Sequence, residues 1–309
     1  VKSVPAPFFS APLSMVPTEF NTLRLQDLCQ FFTHPVRFLM RRRLRIHLED
    51  NSQLLEDKEN FNLDALDLYQ MKQELLNVRL LGYDLSEYFP VQRAKGDLPQ
   101  GPVGRVLYAR LEQEAEHFAE GLARIFGDES IDNISIDMTV GKFKLLGSFN
   151  GLNRRGRIQY RFEQRKAKDW LSAWINHLVL CAVKDRRQSS DSILFDTDGA
   201  VVFKPVEFPE KYLMDLLEAY QEGMQRPLHF FPELSFRYVQ MVEFDGKELE
   251  FTLKKIRKMW VGSEFKKGIA DDPYHRLSFG GRDPIDEKFE RLAEMVFIPI
   301  RMYAEELNL

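Results

Sequence analysis

The sequence predicts an α/β domain in which helices surround a small mixed sheet. Of the 309 residues, 44% are hydrophobic and 29% are charged, which is typical of a globular chain that buries a core. Apolar residues recur at helical spacing as far as Phe126, and Gly127 ends that pattern. Over residues 134–140, apolar and polar residues then alternate, and this period of two indicates a strand.

The N-terminal part is expected to be helical. Four prolines in residues 1–20 predict an extended lead-in, followed by one domain over residues 21–309. Asn21 or Thr22 is expected to cap the first helix, and Pro35 suits the first turn of the second. The core is expected at about 106–206, between helical N- and C-terminal parts.

Five strands and one long helix are predicted for this core. The strands are expected at about 133–140, 143–149, 157–163, 192–195 and 200–205. The helix is expected at 168–182, after the third strand. We expect the first three strands to pair consecutively. The helix should pack on them through one apolar stripe, formed by Trp170, Trp174, Leu178 and Cys181.

The order strand, turn, strand, helix over residues 143–182 is found at the heart of restriction-endonuclease-like, PD-(D/E)XK-type nucleases. In such a core one strand presents Asp, and the next presents Asp or Glu followed two residues later by Lys. The carboxylates hold Mg²⁺. Here Asn150 stands at the Asp position, and Glu163 with Arg165 replaces the acid and the lysine. These three are therefore predicted to be vestigial, with no catalytic residue, metal or cofactor.

An active metal-dependent nuclease is the alternative. It would use Asp137, on the preceding strand, together with Glu163. Alternation places Asp137 in a solvent-facing set with Ser135 and Thr139, which favours an ordinary surface role. A second alternative is a protein-binding scaffold that does not contact DNA.

Basic clusters are candidates for DNA contact although the net charge is −4. Arg37, Arg41 and Arg45 recur every four residues and should share one helix face. Like charges at this spacing destabilise a helix by a few tenths of a kcal/mol per pair. Either DNA phosphates, or carboxylates from the acidic loop 49–60 or a partner subunit, should offset them.

Two further basic runs are each open to two interpretations, DNA contact or an ordinary structural role. Arg154, Arg155 and Arg157 are expected at a hairpin tip, where they either meet a DNA backbone or form an ordinary solvated loop. Residues 254–260 interleave lysines and an arginine with Trp260, and the commoner meaning is an exposed helix face with a buried Trp.

Cysteine, histidine and hydropathy patterns exclude several classes of protein. Cys29 and Cys181 lie in apolar helical patterns, which indicates buried thiols in a reducing compartment. The six histidines lack metal-ligand spacing. No apolar run approaches the roughly 18 residues of a membrane span, and the start lacks the features of a signal peptide. A cytoplasmic protein is expected.

Four sequence blocks carry a resemblance to a known family. They are FFTHPVRFL at 31–39 followed by RL at 43–44, LDALDLYQ at 63–70, WLSAWINHLVLCA at 170–182, and the block 272–289 that opens with DPY. In this order they resemble the C-terminal domain of the exodeoxyribonuclease V gamma subunit (RecC) family, over roughly residues 20–305.

The resemblance implies a nuclease-like fold without activity. It implies one subunit of a helicase–nuclease, the RecBCD complex, that processes double-strand breaks in DNA repair and recombination. RecB-like and RecD-like subunits are the implied protein partners. DNA contact at a duplex end or fork is implied too, without sequence specificity.

Overall fold

Strands from most of the chain join one seven-stranded mixed sheet with helices on both faces. The computed structural model describes residues 8–9, 11–48, 65–127, 132–153, 156–183 and 191–307. Within these ranges no helix is long and apolar enough to cross a membrane. A mixed α/β fold with helices around the sheet is thus confirmed.

The α-helices of the described ranges are bounded as follows, in chain order: α1 Leu25–Thr33, α2 Pro35–Phe38, α3 Ala65–Leu80, α4 Phe89–Lys95, α5 Pro102–Phe126, α6 Ala167–Ala182, α7 Pro209–Gly223, α8 Pro232–Val239, α9 Leu249–Val261, α10 Pro273–Phe279 and α11 Glu287–Tyr303. Two π-helical turns, Leu39–Arg43 and Gln240–Phe244, continue α2 and α8. Short 3₁₀ turns lie at Thr18–Asn21, Ser86–Tyr88 and Ile269–Asp271.

The strands are β1 Thr22–Arg24, β2 Asp132–Val140, β3 Phe143–Asn153, β4 Gly156–Tyr160, β5 Ser192–Asp196, β6 Gly199–Phe203, β7 Gly262–Ser263, β8 Lys266–Lys267 and β9 Ala304–Leu307. In the large sheet the order is β1-β3-β4-β5-β6-β9, with β2 also paired to β3. β1 runs parallel to β3, and β4 runs parallel to β5. The remaining pairs in that sheet are antiparallel. β7 and β8 form a separate hairpin.

The expected consecutive pairing of the first three strands is confirmed, and α6 forms where it was predicted, but its Trp170 and Trp174 rings contact Phe203 of β6. β2 pairs with β3 and β3 with β4, and the pair β5–β6 follows. All four residues of the predicted stripe on α6 are buried in the larger of two apolar cores. Alternation along β5 and β6 divides the cores, because Leu194 and Val201 face the α6 side while Ile193 and Val202 face α3 and α5.

The third strand ends three residues earlier than predicted. Beyond Tyr160, the Arg161 N–H still donates to the Phe195 carbonyl at 2.9 Å, but Phe162 turns into the core on the α5 side. The Asp169 carboxylate then accepts from the Lys166 backbone N–H at 2.8 Å and fixes the start of α6. Glu163 therefore lies in a connection and not on a strand.

The first helix also starts later than predicted. Neither Asn21 nor Thr22 caps it, because residues 22–24 are extended and pair with β3. Arg24 occupies the N-cap position, and its side chain makes no capping hydrogen bond.

Asp272 joins the N-terminal helices to α10. Its Oδ1 accepts from the backbone N–H groups of Tyr274 at 2.9 Å and His275 at 3.2 Å. Its other oxygen accepts from Arg37 at 3.0 Å, and the Nε2 of His34 lies 3.2 Å from Oδ1. Burial alone would raise the pKa of Asp272, but the hydrogen bond with His34 and the other nearby groups hold it well below its usual range.

We expect Trp174→Ala to lower the free energy of unfolding by about 3–5 kcal/mol, because it empties a large fully packed site. Trp174 is 1% exposed and its ring contacts Phe203, Tyr212 and Tyr303. Urea unfolding measures the change. Phe208→Ala is the control, since Phe208 is 65% exposed and its loss should stay within about 0.5 kcal/mol. Equal losses in the two variants would contradict this packing.

We expect Asp272→Asn to lower the free energy of unfolding at pH 7 by about 1–3 kcal/mol. Asn can still cap α10, so the loss isolates the charge. Because the folded pKa is depressed, the stabilisation is present above the unfolded pKa of about 3.9 and is lost as the pH falls below it. Urea unfolding at pH 7 and at about pH 3 should show the difference shrinking in acid. In the control Asp137→Asn, where the carboxylate is largely exposed, a change of at most about 1 kcal/mol is expected.

Candidate nucleic-acid interface

A surface cleft with a volume of about 790 Å³ opens beside α1 and α2. Four arginines line it, Arg37 from α2, Arg41 and Arg42 from the π-helical turn, and Arg45 beyond it. This surface is hereafter the arginine cleft. All three arginines that were predicted to contact DNA from this region thus open onto one surface.

Internal partners hold three of these guanidinium groups. Arg37 pairs with Asp272 at 3.0 Å, and Arg42 pairs with Asp27 at 2.7 Å. Arg41 donates to the Tyr274 hydroxyl at 2.9 Å and lies 5.5 Å from the centre of that ring. The Arg45 side chain makes no hydrogen bond or ion pair with any residue that the structure describes. Part of the positive charge of the cleft therefore has no counterion among the described residues.

The prediction that Arg37, Arg41 and Arg45 share one helix face is wrong for Arg45. The helix widens into a π-turn, in which the Leu44 N–H donates to the Leu39 carbonyl at 3.3 Å, and then ends. Arg45 has a positive φ of 60° and lies outside the helix. The acidic loop 49–60 lies outside the described residues. The carboxylates that offset Arg37 and Arg42 come from α10 and α1 instead.

Arg157 does not lie at an exposed hairpin tip, and Arg154 and Arg155 fall outside the described residues. Arg157 lies on β4 and lines a separate cavity of about 490 Å³. Its Nη1 donates to the Gln159 side chain at 2.9 Å, and its guanidinium lies 5.3 Å from the ring centre of Phe149. Its Nε is buried and unpartnered, and burial lowers the pKa of Arg157 to about 10.

Two of the positions predicted to be vestigial, Glu163 and Arg165, each have a described contact with a residue outside the predicted set. Asn150 lies on β3, with its side chain outside the described set. Glu163 lies 4.0 Å from Lys72 of α3, at a cavity of about 580 Å³. Arg165 contacts the buried Asp196 at 2.5 Å, and burial raises the pKa of Asp196 to about 6 despite this neighbour. Arg165 therefore has a local partner of its own, in β5.

The alternative pair, Asp137 and Glu163, is not brought together. Asp137 is exposed on β2 and pairs with Lys144 of β3 at 3.1 Å, as its place in the solvent-facing set predicts. In the part of the chain that the structure describes, one group of three potential metal ligands lies within 4.8 Å, and it contains neither residue.

That group is His34, Asp272 and His275, and its hydrogen bonds oppose a metal. His34 Nδ1 accepts from the Arg37 backbone N–H at 3.1 Å, so in the neutral ring Nε2 carries the proton and is directed at Asp272. His275 Nδ1 lies 2.9 Å from the Ile269 carbonyl oxygen, so that nitrogen is already occupied. The Arg37 guanidinium on the same carboxylate also repels a cation. The group thus serves to join α2 to α10.

Comparisons with known proteins agree with one another. The sequence model of the RecC C-terminal domain matches residues 20–243. The RecBCD enzyme subunit RecC of Escherichia coli (strain K12) is 27% identical over 267 residues, which cover 83% of this chain and 23% of that protein. The protein of the same name from Mycobacterium tuberculosis (strain H37Rv) is 24% identical over 288 residues, which cover 91% of this chain and 26% of that protein.

A third relative carries the same name. The RecBCD enzyme subunit RecC of Buchnera aphidicola is 21% identical over 294 residues, covering 91% of this chain and 27% of the relative. The chain therefore spans about a quarter of the length of these curated relatives. Because the family match covers more than half of its residues, the chain belongs to the RecC C-terminal domain family.

Proposed function

We propose that this chain is a non-catalytic, DNA-contacting part of a cytoplasmic RecBCD-type helicase–nuclease that acts in double-strand-break repair and recombination. The names of its relatives, each a RecBCD enzyme subunit, support this assignment. RecB-like and RecD-like subunits are the proposed protein partners. DNA is the proposed ligand, as a duplex end or fork.

The arginine cleft is the observation that carries DNA contact. Four guanidinium groups line it, against the two carboxylates of Glu19 and Asp27. Arginine suits phosphate, because its planar fork donates two parallel hydrogen bonds to phosphate oxygens. Phosphate contacts position a nucleic acid without reading its sequence, so the proposed role is guidance and not sequence recognition.

The hairpin β7–β8 supports a contact with unpaired bases. Phe265, at its turn, is 97% exposed, and Lys266 and Lys267 follow it. An exposed aromatic ring beside lysines suits base stacking and backbone contact with single-stranded DNA. This arrangement fits a contribution to strand separation. In the neighbouring basic run, Trp260 is buried as predicted.

We also propose that the core at about 106–206, within a domain spanning 21–309, is nuclease-like. Its support is the order of elements: helix α5, the antiparallel strands β2, β3 and β4, helix α6, and then β5 parallel to β4. Asn150 in place of Asp removes one of the carboxylates that hold Mg²⁺ in such a core. The proposed site is therefore inactive.

We expect the double variant Arg41→Gln/Arg45→Gln to flatten the salt dependence of DNA binding by the assembled complex. The slope of log K against log salt should fall by roughly 0.9 for each lost phosphate contact, about 1.8 in all. Arg37 is left in place because it holds Asp272.

The matched control is Arg93→Gln/Arg105→Gln, which removes the same charge from exposed arginines elsewhere on the chain. Equal slopes in the two double variants would refute the cleft as a DNA contact. If the Arg41/Arg45 variant instead impairs only assembly with the partner subunits, the result favours the alternative hypothesis of a protein-binding scaffold.

We expect no cleavage of linear single- or double-stranded DNA by this protein alone with Mg²⁺ or Mn²⁺. Gel assays of the full-length protein without its partners measure this, with Glu163→Ala as the paired variant. Activity that disappears in Glu163→Ala would sink the proposal and favour the active nuclease. Activity that persists in it points to a contaminating enzyme.

A further inference from the structure

A second basic site lies between α1, β3 and α6. It is the cavity of about 490 Å³ that Arg157 lines, hereafter the Arg157 cavity. The polar side chains of its lining belong to Arg24, Gln26, Ser148, Arg157, Ser172 and Asn176. No carboxylate of a described residue lines it, so its lining carries two positive charges and no negative one.

The Arg157 guanidinium has no counterion among the residues that the structure describes. Among the described residues, its partners are the neutral Gln159 amide oxygen and the face of Phe149, while its buried Nε has none. A charge removed from water without a paired group of opposite sign is strongly unfavourable. A basic group kept in such a place is explained most simply by an anion that it binds.

The Cys29 thiol, whose ionised form would be an anion at the cavity, does not supply the missing negative charge. Cys29 lines the cavity, and a thiolate there would neutralise Arg157. Burial, however, raises the pKa of Cys29 to about 11, although its hydrogen bond with Ser172 and the charge of Arg157 act in the opposite direction. The thiol is therefore neutral at physiological pH, and the positive charge remains open.

The N-terminus of α1 faces the same cavity. Arg24 is its N-cap residue and Leu25 and Gln26 its first two residues, and all three line the cavity. No side chain caps this nine-residue helix, so its first N–H groups and the positive end of its dipole are available to an anion. Gly147 of β3 allows the close approach, since a Cβ there would lie 3.2 Å from the Leu25 Cβ.

We propose that the Arg157 cavity binds one phosphate group. Arg157 and Arg24 supply charge, the α1 N-terminus supplies backbone N–H donors, and the Ser148 and Ser172 hydroxyls complete the donor set. The volume lies within the range of small-ligand pockets, so the sugar attached to a phosphate also fits. The phosphate belongs either to a DNA strand, in which case the site rests on the proposed function, or to a free phosphate ion.

Thermal unfolding of the full-length protein tests this, in sodium phosphate against sodium chloride at matched ionic strength. Phosphate should raise the Tm of the wild-type protein, because a ligand that binds only the folded state stabilises it. Arg157→Met should abolish the rise. Its own Tm in chloride should not fall, because an apolar side chain of similar length replaces a partly buried charge that has no described counterion.

Two further variants keep the test decisive. Arg24 is exposed, so Arg24→Gln should fold normally and weaken phosphate binding about tenfold, even if Arg157→Met fails to fold. Arg93→Gln removes a charge from an exposed site outside both basic surfaces and should keep the full phosphate effect. The proposal is overturned if Arg157→Met or Arg24→Gln keeps the wild-type response.

A short oligothymidylate identifies the source of the phosphate. Binding that inorganic phosphate competes away, and that Arg157→Met weakens, assigns the site to a DNA strand. A response to inorganic phosphate alone assigns it to the free ion, and the cleft variants then test the proposed function separately. A third outcome is that neither inorganic phosphate nor oligothymidylate binds, while Arg157→Met impairs assembly with partner subunits. In that case a partner's carboxylate occupies the cavity and the phosphate proposal is wrong.

Discussion

Burial of helix α6 is the constraint on which the rest of this structure depends. Twelve of its 16 residues are buried, so the helix is covered on nearly all sides and not along a single stripe. The sheet packs against it, and α1, α7, α8 and α11 pack around it. Its polar groups are paired in place: the two ring nitrogens of His177 lie 3.0 Å from the Ser192 hydroxyl and 2.9 Å from the Lys204 carbonyl. Because an unpaired polar group here is costly, these bonds also fix how β5, and the residues that follow β6, lie against the helix.

The positive charge of the molecule is arranged in two different ways around this core. Most arginines of the arginine cleft are oriented by a neighbour, as Arg37 is by Asp272 and Arg41 by the Tyr274 hydroxyl. A guanidinium held in this way loses less entropy when it meets a phosphate, although its charge is partly offset already. Arg157 has the opposite character, since its Nε is buried and no described carboxylate offsets its charge. Surface charge of the first kind governs encounter and salt dependence, whereas a desolvated charge of the second kind selects a ligand of one sign.

Strand pairing could be predicted from the sequence because alternation is a local signal. Residues 134–140 and the short turn at Gly141 determine both the faces of β2 and its register with β3. The apolar stripe of α6 is local in the same sense. By contrast, the partner of Arg37 lies 235 residues away in sequence, and only the Asp-Pro start of α10 hinted at a helix cap there. Arg157 was predicted to lie at a hairpin tip, because charged residues are usually found in exposed loops. Its burial follows from the packing of α1 and α6 over β3 and β4, which no local pattern encodes.

Helix α1 connects the two basic sites, and this relation gives the N-terminal segment more than a packing role. Its Asp27 side holds Arg42 in the arginine cleft, while its first residues open onto the Arg157 cavity. Nine residues at 1.5 Å each make a rod of about 14 Å, which is rigid because Leu28, Phe31 and Phe32 anchor it in the core. The two proposed phosphate-binding surfaces share this rigid helix and therefore keep a constant separation. A nucleic acid bound at one of them would have a defined position relative to the other, and this positioning requires no movement of the central sheet.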